Sequence, residues 1–537
     1  RGEGEDGMTE AAAFRVLVAD PISEAGVERL RQGGARVEVR TGLDRQDLLA
    51  LVGEMDGLVT RSETRVTREV LERAPRLKVV GRAGVGVDNI DVDAATERGV
   101  LVVNVPTGNT VAAAEHTLAL MLALARQVPQ ADRDLRAGNW RRGRFTGVEL
   151  MGKTLGLVGL GRIGAEVALR ARAFGMTVLA HDPYVAPSRA EFLGVRLEPL
   201  DAVLASSDFV SLHLAKTPDT VGLLGRDRLA RMKPGARLIN CARGGLVDET
   251  ALYEALQSGQ LAGAALDVFT EEPAPHHPLF ELPNVVVTPH LAGSTQEALE
   301  ANGVLVAEAV LDALSGRPVA TAVNWPSLSP LEAEALVPYI PLAETLARTY
   351  AQAQPGPIER VEVLYEGDLA GLTTGPLTNF VLKGLLAAIL GEPVNQINAR
   401  VVAGRRGIRV EEHRIQQCPD RPHRLTVRVQ SGRQRGSISG YLSAGGPRIL
   451  AINDLDVEFS PSRYMLVTRH QDRPGMIGRV GTLLGQHDIN IAAMQVGRAG
   501  PRGEAVMVLQ VDDFVPDSLL ARLSELDGMG AVRRVVL

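Results

Sequence analysis

Three polar stretches in the middle of the chain carry residue types that could oxidise an alcohol. Arg243 lies in NCARGG, Asp267 and Glu272 lie in DVFTEEP, and His290 lies in TPHLAG. Each stretch follows an apolar run that predicts a buried strand, and ligands bind at the carboxyl ends of parallel strands. Arginine can clamp a carboxylate, histidine can take a hydroxyl proton, and a carboxylate can orient that histidine. The set indicates oxidation of a 2-hydroxy acid.

A glycine-rich turn supplies a site for the hydride acceptor. Gly159 to Gly164 read GLGRIG, between the apolar run TLGLVG and the helical stretch AEVALRARAFG. Glycines there permit a tight turn, close approach of a pyrophosphate, and packing of the helix on the strand. Asp182 ends the next predicted strand, where its carboxylate can bind ribose hydroxyls and repel a 2′-phosphate. The pattern predicts NAD rather than NADP.

The elements that must position these residues follow from alternating apolar runs and helical stretches. From Phe14 the runs are FRVLVAD, RVEVR, GLVTRSET, LKVVGRAG and VLVVNVP, and a second series restarts at KTLGLVGLGRIG. This order is typical of βαβ units and mostly parallel sheets. We therefore expect an α/β fold with two doubly wound, Rossmann-like units in about the first 320 residues.

Two further domains are expected after these units. A region rich in strands, glycine and arginine predicts an α+β intervening domain, and the final stretch has the βαββαβ order of a ferredoxin-like domain. The predicted boundaries are 8–105 plus 295–320 for a substrate-binding domain, 106–294 for the NAD-binding domain, 321–460 for the intervening domain and 461–537 for the last one.

Composition excludes several classes of protein. The 537 residues contain 58 Lys and Arg against 64 Asp and Glu, a balance that does not favour a general nucleic-acid binder. The most apolar helical stretch, 111–125, is interrupted by Glu115 and His116, so we expect no membrane span. Two cysteines cannot form a disulfide framework, which favours the cytoplasm. His276 and His277 lack a third ligand at metal spacing, and we predict no metal.

These motifs resemble those of the D-isomer-specific 2-hydroxyacid dehydrogenases, from about residue 14 to the end of the chain. The resemblance is carried by GRAGVGVDNID, GLGRIG, NCARGGLVDE, ALDVFTEEP and PHLAGST. It implies that Arg243 binds substrate, that His290 is the acid/base, and that a glutamate is the partner of His290. Glu272 is preferred over its neighbour Glu271 because the family's glutamate directly precedes a proline.

The resemblance also implies two sets of binding residues. The cofactor set comprises Gly159, Gly161, Arg162, Ile163, Gly164, Asp182, Cys241, Ala242, Arg243, Asp267, His290, Ala292 and Gly293. The substrate set comprises Arg61, Ser62, Arg82, Asn109 and Arg142. Arg142, or its neighbour Arg141, follows Trp140 and would reach across a dimer interface in the family.

Within the family, the resemblance is to members that oxidise 3-phospho-D-glycerate to 3-phosphooxypyruvate with NAD, the first step of L-serine biosynthesis. The alternatives are another D-2-hydroxyacid dehydrogenase, such as a hydroxypyruvate, glyoxylate or 2-oxoglutarate reductase, and a corepressor-type binding protein. The extra C-terminal domains and the cleft arginines favour the phosphorylated substrate.

The last domain resembles an ACT domain, which implies a small-molecule effector site. In the family the effector is L-serine, and the resemblance implies that Asp472 and Asn490 contact it. His470 stands where some serine-inhibited relatives have a phenol, so a role in assembly alone stays open. The resemblance implies a homotetramer, with a dimer as the minimum. Arg405 and Arg406 in the intervening domain are either part of a second anion site or exposed turn residues.

Overall fold

A computed structural model describes residues 14–326, 328–390 and 393–537. The start of the first predicted domain, 8–13, and residues 327, 391 and 392 of the third lie outside the described residues. Four sheets organise the chain, and each is built from one continuous part of the sequence.

The first unit is a five-stranded parallel sheet in the order β2-β1-β3-β4-β5. Its strands are β1 (Arg15–Val18), β2 (Arg36–Val39), β3 (Gly57–Thr60), β4 (Val79–Arg82) and β5 (Leu101–Val103). The helices between them are α1 (Glu24–Gln32), α2 (Arg45–Leu51), α3 (Arg68–Arg73) and α4 (Val92–Glu97). The strands are buried apolar runs covered by helices, which is the usual setting of a parallel sheet.

The second unit is a seven-stranded parallel sheet, preceded by the apolar helix α5 (Thr110–Arg126) and by α6 (Val128–Arg136). Its strands are β6 (Thr154–Val158), β7 (Thr177–His181), β8 (Arg196–Leu197), β9 (Phe209–Leu212), β10 (Ala236–Asn240), β11 (Leu261–Leu266) and β12 (Val285–Val287). Its other helices are α7 (Arg162–Ala173), α8 (Pro187–Phe192), α9 (Leu200–Ser206), α10 (Arg226–Arg231) and α11 (Glu249–Gln257).

The strand order β12-β11-β10-β9-β6-β7-β8 reverses direction between β6 and β9. Ligands bind in doubly wound sheets at this switch point, outside the carboxyl ends of the strands. The glycine-rich turn follows β6, so the order places it at the edge where a dinucleotide binds. The helix α12 (Gln296–Leu314) then returns to the first unit, where Val306 and Val310 pack in the same core as Val16 and Val79.

The intervening region forms a mixed six-stranded sheet in the order β14-β13-β15-β16-β17-β18. Its strands are β13 (Arg360–Gly367), β14 (Arg409–Ile415), β15 (His423–Ser431), β16 (Gln434–Ser443), β17 (Gly446–Ile452) and β18 (Leu455–Phe459). Its helices are α13 (Pro330–Leu336), α14 (Ile340–Ala353), α15 (Gly375–Ala387) and α16 (Ala399–Arg405). Only β13 and β14 pair in parallel.

The last unit is an antiparallel sheet in the order β20-β21-β19-β22. Its elements are β19 (Tyr464–Gln471), α17 (Met476–Gly485), β20 (Ile491–Arg498), β21 (Glu504–Val511), α18 (Asp517–Ser524) and β22 (Met529–Val536). One face of this sheet shares an apolar core with the intervening domain, in which Met465 and Val508 pack with Leu346 and Ile438. The two C-terminal domains therefore stabilise each other.

The observed sheets confirm the predicted fold class: two parallel Rossmann-like units, an α+β intervening domain and a βαββαβ domain. The exact domain boundaries stay a prediction. Within the described ranges, no helix is both long enough and apolar enough to cross a membrane.

Candidate active site

The imidazole of His290 and the carboxylate of Glu272 face each other, with 2.8 Å between Nδ1 and Oε2. His290 follows β12 in a left-handed conformation with φ of 56°, and its backbone N–H donates to the carbonyl of Asp267. The buried Asp267 carboxylate accepts the next two N–H groups, from Leu291 at 2.7 Å and from Ala292 at 2.9 Å. Asp267 therefore holds the turn that presents His290.

Glu272 is fixed by a second hydrogen bond, because its Oε1 accepts from the Phe269 N–H at 2.9 Å. Burial raises the pKa of this carboxyl, but the hydrogen bonds from His290 and Phe269 outweigh burial and lower it overall. Glu271 is exposed and has neither a hydrogen bond nor an ion pair with the described residues. The structure thus brings Glu272 to His290 and leaves Glu271 outside.

Arg243 lies after β10, at the end of the neighbouring strand. Its Nη1 donates to the Ala242 carbonyl at 2.7 Å, and its Nε donates to Asp88 of the first unit at 3.1 Å. The Asn240 side chain ties the turn, since it accepts from Ala242 N–H and donates to the Arg243 carbonyl. The guanidinium therefore points across the cleft between the two Rossmann-like units.

The cleft contains a cavity of about 530 Å³ that brings Arg82, Arg243, Glu272 and His290 together. Arg82 donates from Nη2 to the Ser62 hydroxyl at 3.0 Å, while its Nε is buried without a partner in the described residues. Burial, followed by repulsion from Arg243, lowers the pKa of Arg82 to about 10. Two guanidiniums that line one cavity can bind an anion there.

An adjoining cavity of about 940 Å³ includes Arg61, Ser62, Glu272 and His290. The loop that carries Arg61 is fixed by the buried carboxylate of Asp20, which accepts from Thr64 N–H at 3.1 Å. Four of the predicted polar residues, Arg61, Ser62, Arg82 and Arg243, thus line the space around the His290–Glu272 pair. Arg65 and Lys216, which sequence reasoning missed, also line this space.

The other two predicted substrate residues have different settings. Asn109 caps α5 beside Gly293, and its Oδ1 is buried without a partner in the described ranges. Arg142 is exposed and lies outside both cavities, whereas its neighbour Arg141 is paired with Asp134. A contact of Arg142 with a partner subunit stays a prediction.

The glycine-rich turn has the geometry that a pyrophosphate requires. A Cβ at Gly159 would lie 2.4 Å from the His213 carbonyl oxygen, and one at Gly164 would lie 2.3 Å from the Gly159 oxygen. A Cβ at Gly161 would meet nothing within 4 Å, which leaves open space at the start of α7. Arg162 and Ile163 begin that helix, where free N–H groups favour an anion.

Asp182 lies where the ribose would bind, directly after β7. Its Oδ2 accepts from the Leu160 N–H at 2.8 Å and its Oδ1 from the Tyr184 N–H at 2.9 Å. Both bonds hold the carboxylate beside the glycine-rich turn. Together with the open space at Gly161, this arrangement fits a dinucleotide. NAD, when bound there, accepts the hydride.

Cys241, predicted to contact the cofactor only through its backbone, is buried beside Asp267. Burial and then the charge of Asp267 raise the pKa of its thiol to about 12, which keeps the sulfur protonated. His116 has no role predicted from the sequence, but its Nε2 lies 3.3 Å from Asp267 and 3.1 Å from the Thr288 hydroxyl. No sequence signal distinguishes His116 from a packed helix residue, because its partners lie far along the chain.

The two predicted effector residues lie apart within one chain. The Asp472 carboxylate accepts from Arg498 at 3.2 Å, while Asn490 donates to Asp512 at 2.6 Å. Strand β20 separates these positions, and its eight residues correspond to about 25 Å. Any site that uses both residues at once needs two chains. In the intervening domain, Arg405 is paired with Glu97 of the first unit at 2.6 Å, so its guanidinium is engaged.

Comparison with known protein families defines the class of this protein. Residues 118–292 match the NAD binding domain of the D-isomer specific 2-hydroxyacid dehydrogenases. Residues 335–453 match the D-3-phosphoglycerate dehydrogenase intervening domain, and residues 464–528 match the ACT domain. The fold and the site are those of an NAD-dependent oxidoreductase, which confirms the resemblance and the predicted cofactor.

Comparison with individual proteins narrows the class. The chain is 46% identical to the D-3-phosphoglycerate dehydrogenase of Archaeoglobus fulgidus, over 96% of this chain and 98% of the relative. It is 41% identical to the enzyme of that name from Bacillus subtilis, over 98% and 100%. The chain therefore belongs to the D-3-phosphoglycerate dehydrogenase family.

Solved structures resemble the two Rossmann-like units. The TT0316 protein from Thermus thermophilus is 44% identical, with a TM-score of 0.54, over 58% of this chain and all of that one. A D-lactate dehydrogenase from Aquifex aeolicus, complexed with NAD and lactic acid, is 29% identical, with a TM-score of 0.53, over 58% and 100%.

Proposed function

We propose that the protein catalyses the NAD-dependent oxidation of 3-phospho-D-glycerate to 3-phosphooxypyruvate, the first step of L-serine biosynthesis. The observation that carries this proposal is the cationic cavity around the His290–Glu272 pair. Arg82 and Arg243 line it together with His290, so a substrate that has an anionic group at each end can be bound at both ends.

Each side chain has a defined task in this reaction. The Nδ1–H of His290 donates to Glu272, which leaves Nε2 free to take the proton of the substrate hydroxyl. Glu272 stabilises the imidazolium that forms, because its carboxylate is ionised and hydrogen-bonded. Arg243 binds the substrate carboxylate with its remaining N–H groups and polarises the C2 oxygen.

The phosphate would bind on the first unit. Arg61 and Ser62 lie on the loop after β3, Arg82 ends the neighbouring strand β4, and the Arg82–Ser62 hydrogen bond joins them. Within the described residues, the Nε of Arg82 and the Oδ1 of Asn109 have no partner, so the first can donate to the phosphate and the second can accept from a hydroxyl group. Arg142 would add a further cation from a partner subunit.

Substrate profiling in the direction of reduction tests the proposal. Purified protein and NADH are assayed with phosphooxypyruvate, hydroxypyruvate, glyoxylate and 2-oxoglutarate under identical conditions. We expect the highest kcat/KM for phosphooxypyruvate. A higher value for any unphosphorylated 2-oxo acid would contradict the proposal and assign the protein to another 2-hydroxyacid dehydrogenase activity.

We also propose that the protein is a cytoplasmic homotetramer that binds L-serine between ACT domains of two chains. The distance between Asp472 and Asn490 supports a site shared by two chains, and the two free cysteines fit a reducing compartment. Analytical ultracentrifugation with and without L-serine, paired with inhibition assays, tests this. Inhibition that persists in Asn490→Ala would contradict the assigned effector site.

A further inference from the structure

An ion pair links the two Rossmann-like units directly at the active site. The Arg243 Nε donates to the Asp88 Oδ2 at 3.1 Å, and the two residues lie 155 positions apart in the chain. Asp88 comes from the loop between β4 and α4 of the first unit, whereas Arg243 follows β10 of the second. This contact spans the cleft that holds the substrate.

The hydrogen bonds of Arg243 determine which of its N–H groups remain for a ligand. A guanidinium has five N–H groups. Asp88 accepts from Nε, and the Ala242 carbonyl accepts from Nη1. The two hydrogens of Nη2 and one of Nη1 remain. These two terminal nitrogens can bind both oxygens of a carboxylate at once.

Gly86 supplies a second, independent constraint on the same guanidinium. A Cβ at position 86 would lie 2.0 Å from the Nη2 of Arg243 and 2.8 Å from the Oδ2 of Asp88. The Arg243 side chain therefore lies directly against the Gly86 backbone. A methyl group there would push the end of a side chain aside without clashing with backbone.

The surrounding charges explain why a carboxylate is needed at this point. Burial and then repulsion from Arg243 lower the pKa of Arg82, and the charge of Asp88 opposes both effects. Arg82, Asp88 and Arg243 line one cavity with His290. Without the Asp88 carboxylate, nothing else in the described residues is paired with the Arg243 guanidinium as an ion pair.

We propose that Asp88 is a positioning residue, which holds Arg243 so that its Nη groups face the substrate carboxylate when the two units close. Gly86 provides the space for that orientation. This inference rests on the proposed function, since it assumes that Arg243 binds the substrate carboxylate. It predicts that replacing Asp88 lowers kcat/KM for the 2-oxo acid and does not change the affinity for the dinucleotide.

Four full-length variants test the proposal in steady-state kinetics with phosphooxypyruvate and NADH. Asp88→Asn removes the charge at almost constant shape, and we expect kcat/KM to fall by about 30-fold, within the range for directly coupled residues. Gly86→Ala is expected to lower it to a similar degree. In an Arg243→Lys background, Asp88→Asn should lower kcat/KM by less than about threefold further. The reason is that a lysine ammonium binds a carboxylate without the fixed planar orientation that a guanidinium requires. NADH affinity, measured by fluorescence, should stay unchanged.

Asp93→Asn is the matched control, since Asp93 is an exposed carboxylate in the first turn of the nearby α4 and lines neither cavity. It should keep wild-type kinetics. The proposal is overturned if Asp88→Asn leaves kcat/KM unchanged, if it tightens substrate binding, or if its effect is as large in the Arg243→Lys background as in the otherwise wild-type protein. If the wild type prefers another 2-oxo acid, the proposed function fails, and the same variants are then assayed with that acid.

Discussion

The Nδ1 of His290 lies 2.8 Å from the Oε2 of Glu272, and the other oxygen of that carboxylate accepts from the Phe269 N–H. Because an ionised carboxylate can only accept, the hydrogen of this bond lies on Nδ1 of His290, and Nε2 is the ring nitrogen that remains for a substrate. The hydrogen bond therefore determines which ring nitrogen carries the hydrogen and how the imidazole ring is oriented. It joins two residues from separate loops into the pair that we propose as the acid/base unit.

Replacing Glu272 by Gln should reduce turnover more than binding. The amide keeps the shape but removes the charge that stabilises the imidazolium, so we expect kcat to fall by about 10² to 10³. Glu271→Gln is the matched control, because Glu271 is exposed and unpaired, and an equal loss in both variants would contradict the assignment.

Removing an arginine that would bind the phosphate should affect phosphorylated and unphosphorylated substrates differently. Arg61→Ala or Arg82→Ala should lower kcat/KM for phosphooxypyruvate by about 10- to 100-fold, the range for a hydrogen bond to a charged group. Hydroxypyruvate, which lacks the phosphate, should lose less than about threefold. Parallel kinetics with the two acids provide the measurement. Equal losses for both acids would exclude a phosphate role.

Neutralising Asp182 should change the choice of dinucleotide. The carboxylate would repel a 2′-phosphate, so Asp182→Asn should raise the ratio of kcat/KM for NADP over NAD by about tenfold or more. Asp201→Asn, which removes an exposed carboxylate on α9 of the same unit, is the control. An unchanged ratio in Asp182→Asn would mean that another group selects the cofactor.

The stability of the second unit should depend on His213. Burial lowers the pKa of this imidazole to about 4, against about 6.5 in an unfolded chain. Between these values the unfolded chain binds a proton that the native state does not, so stability falls as the pH drops from about 6.5 to about 4. We expect a loss of about 3 kcal/mol, which should be absent in His213→Gln.

Hydrogen exchange of the β9 amides in mild urea, at several pH values, measures this effect. His181→Gln, on strand β7 of the same sheet, should keep the acid-dependent loss. An equal loss of stability at acidic pH in His213→Gln would show that other groups cause the pH dependence.

The two cysteines should differ strongly in reactivity. The pKa of Cys241 is raised to about 12 by burial, so little thiolate exists at pH 8, whereas Cys418 is half-buried in a loop. Iodoacetamide at pH 8 should label Cys418 at least about 100-fold faster than Cys241. Peptide mass spectrometry gives both rates, and labelling in urea should equalise them. Comparable rates in the native protein would contradict the buried position of Cys241.

Much of the site was predictable because its signals are local. The turn at Gly159 to Gly164 requires glycine at fixed spacings, and Arg243 and His290 follow apolar strands directly in the sequence. A parallel sheet brings the carboxyl ends of its strands to one edge, so their proximity followed from strand order. The predicted class and cofactor needed no tertiary coordinates.

The sequence by itself determined the order of the four domains, the dinucleotide turn and the residue types of the acid/base set, because these depend on neighbouring residues. Only the tertiary structure decided that Asp88 contacts Arg243 and that Asp472 and Asn490 lie far apart within one chain, and it gave the predicted partners Glu272 and His290 their 2.8 Å contact. Such relations depend on how separate loops and units pack. A hydrogen bond between residues 155 positions apart leaves no periodicity in the chain that could predict it.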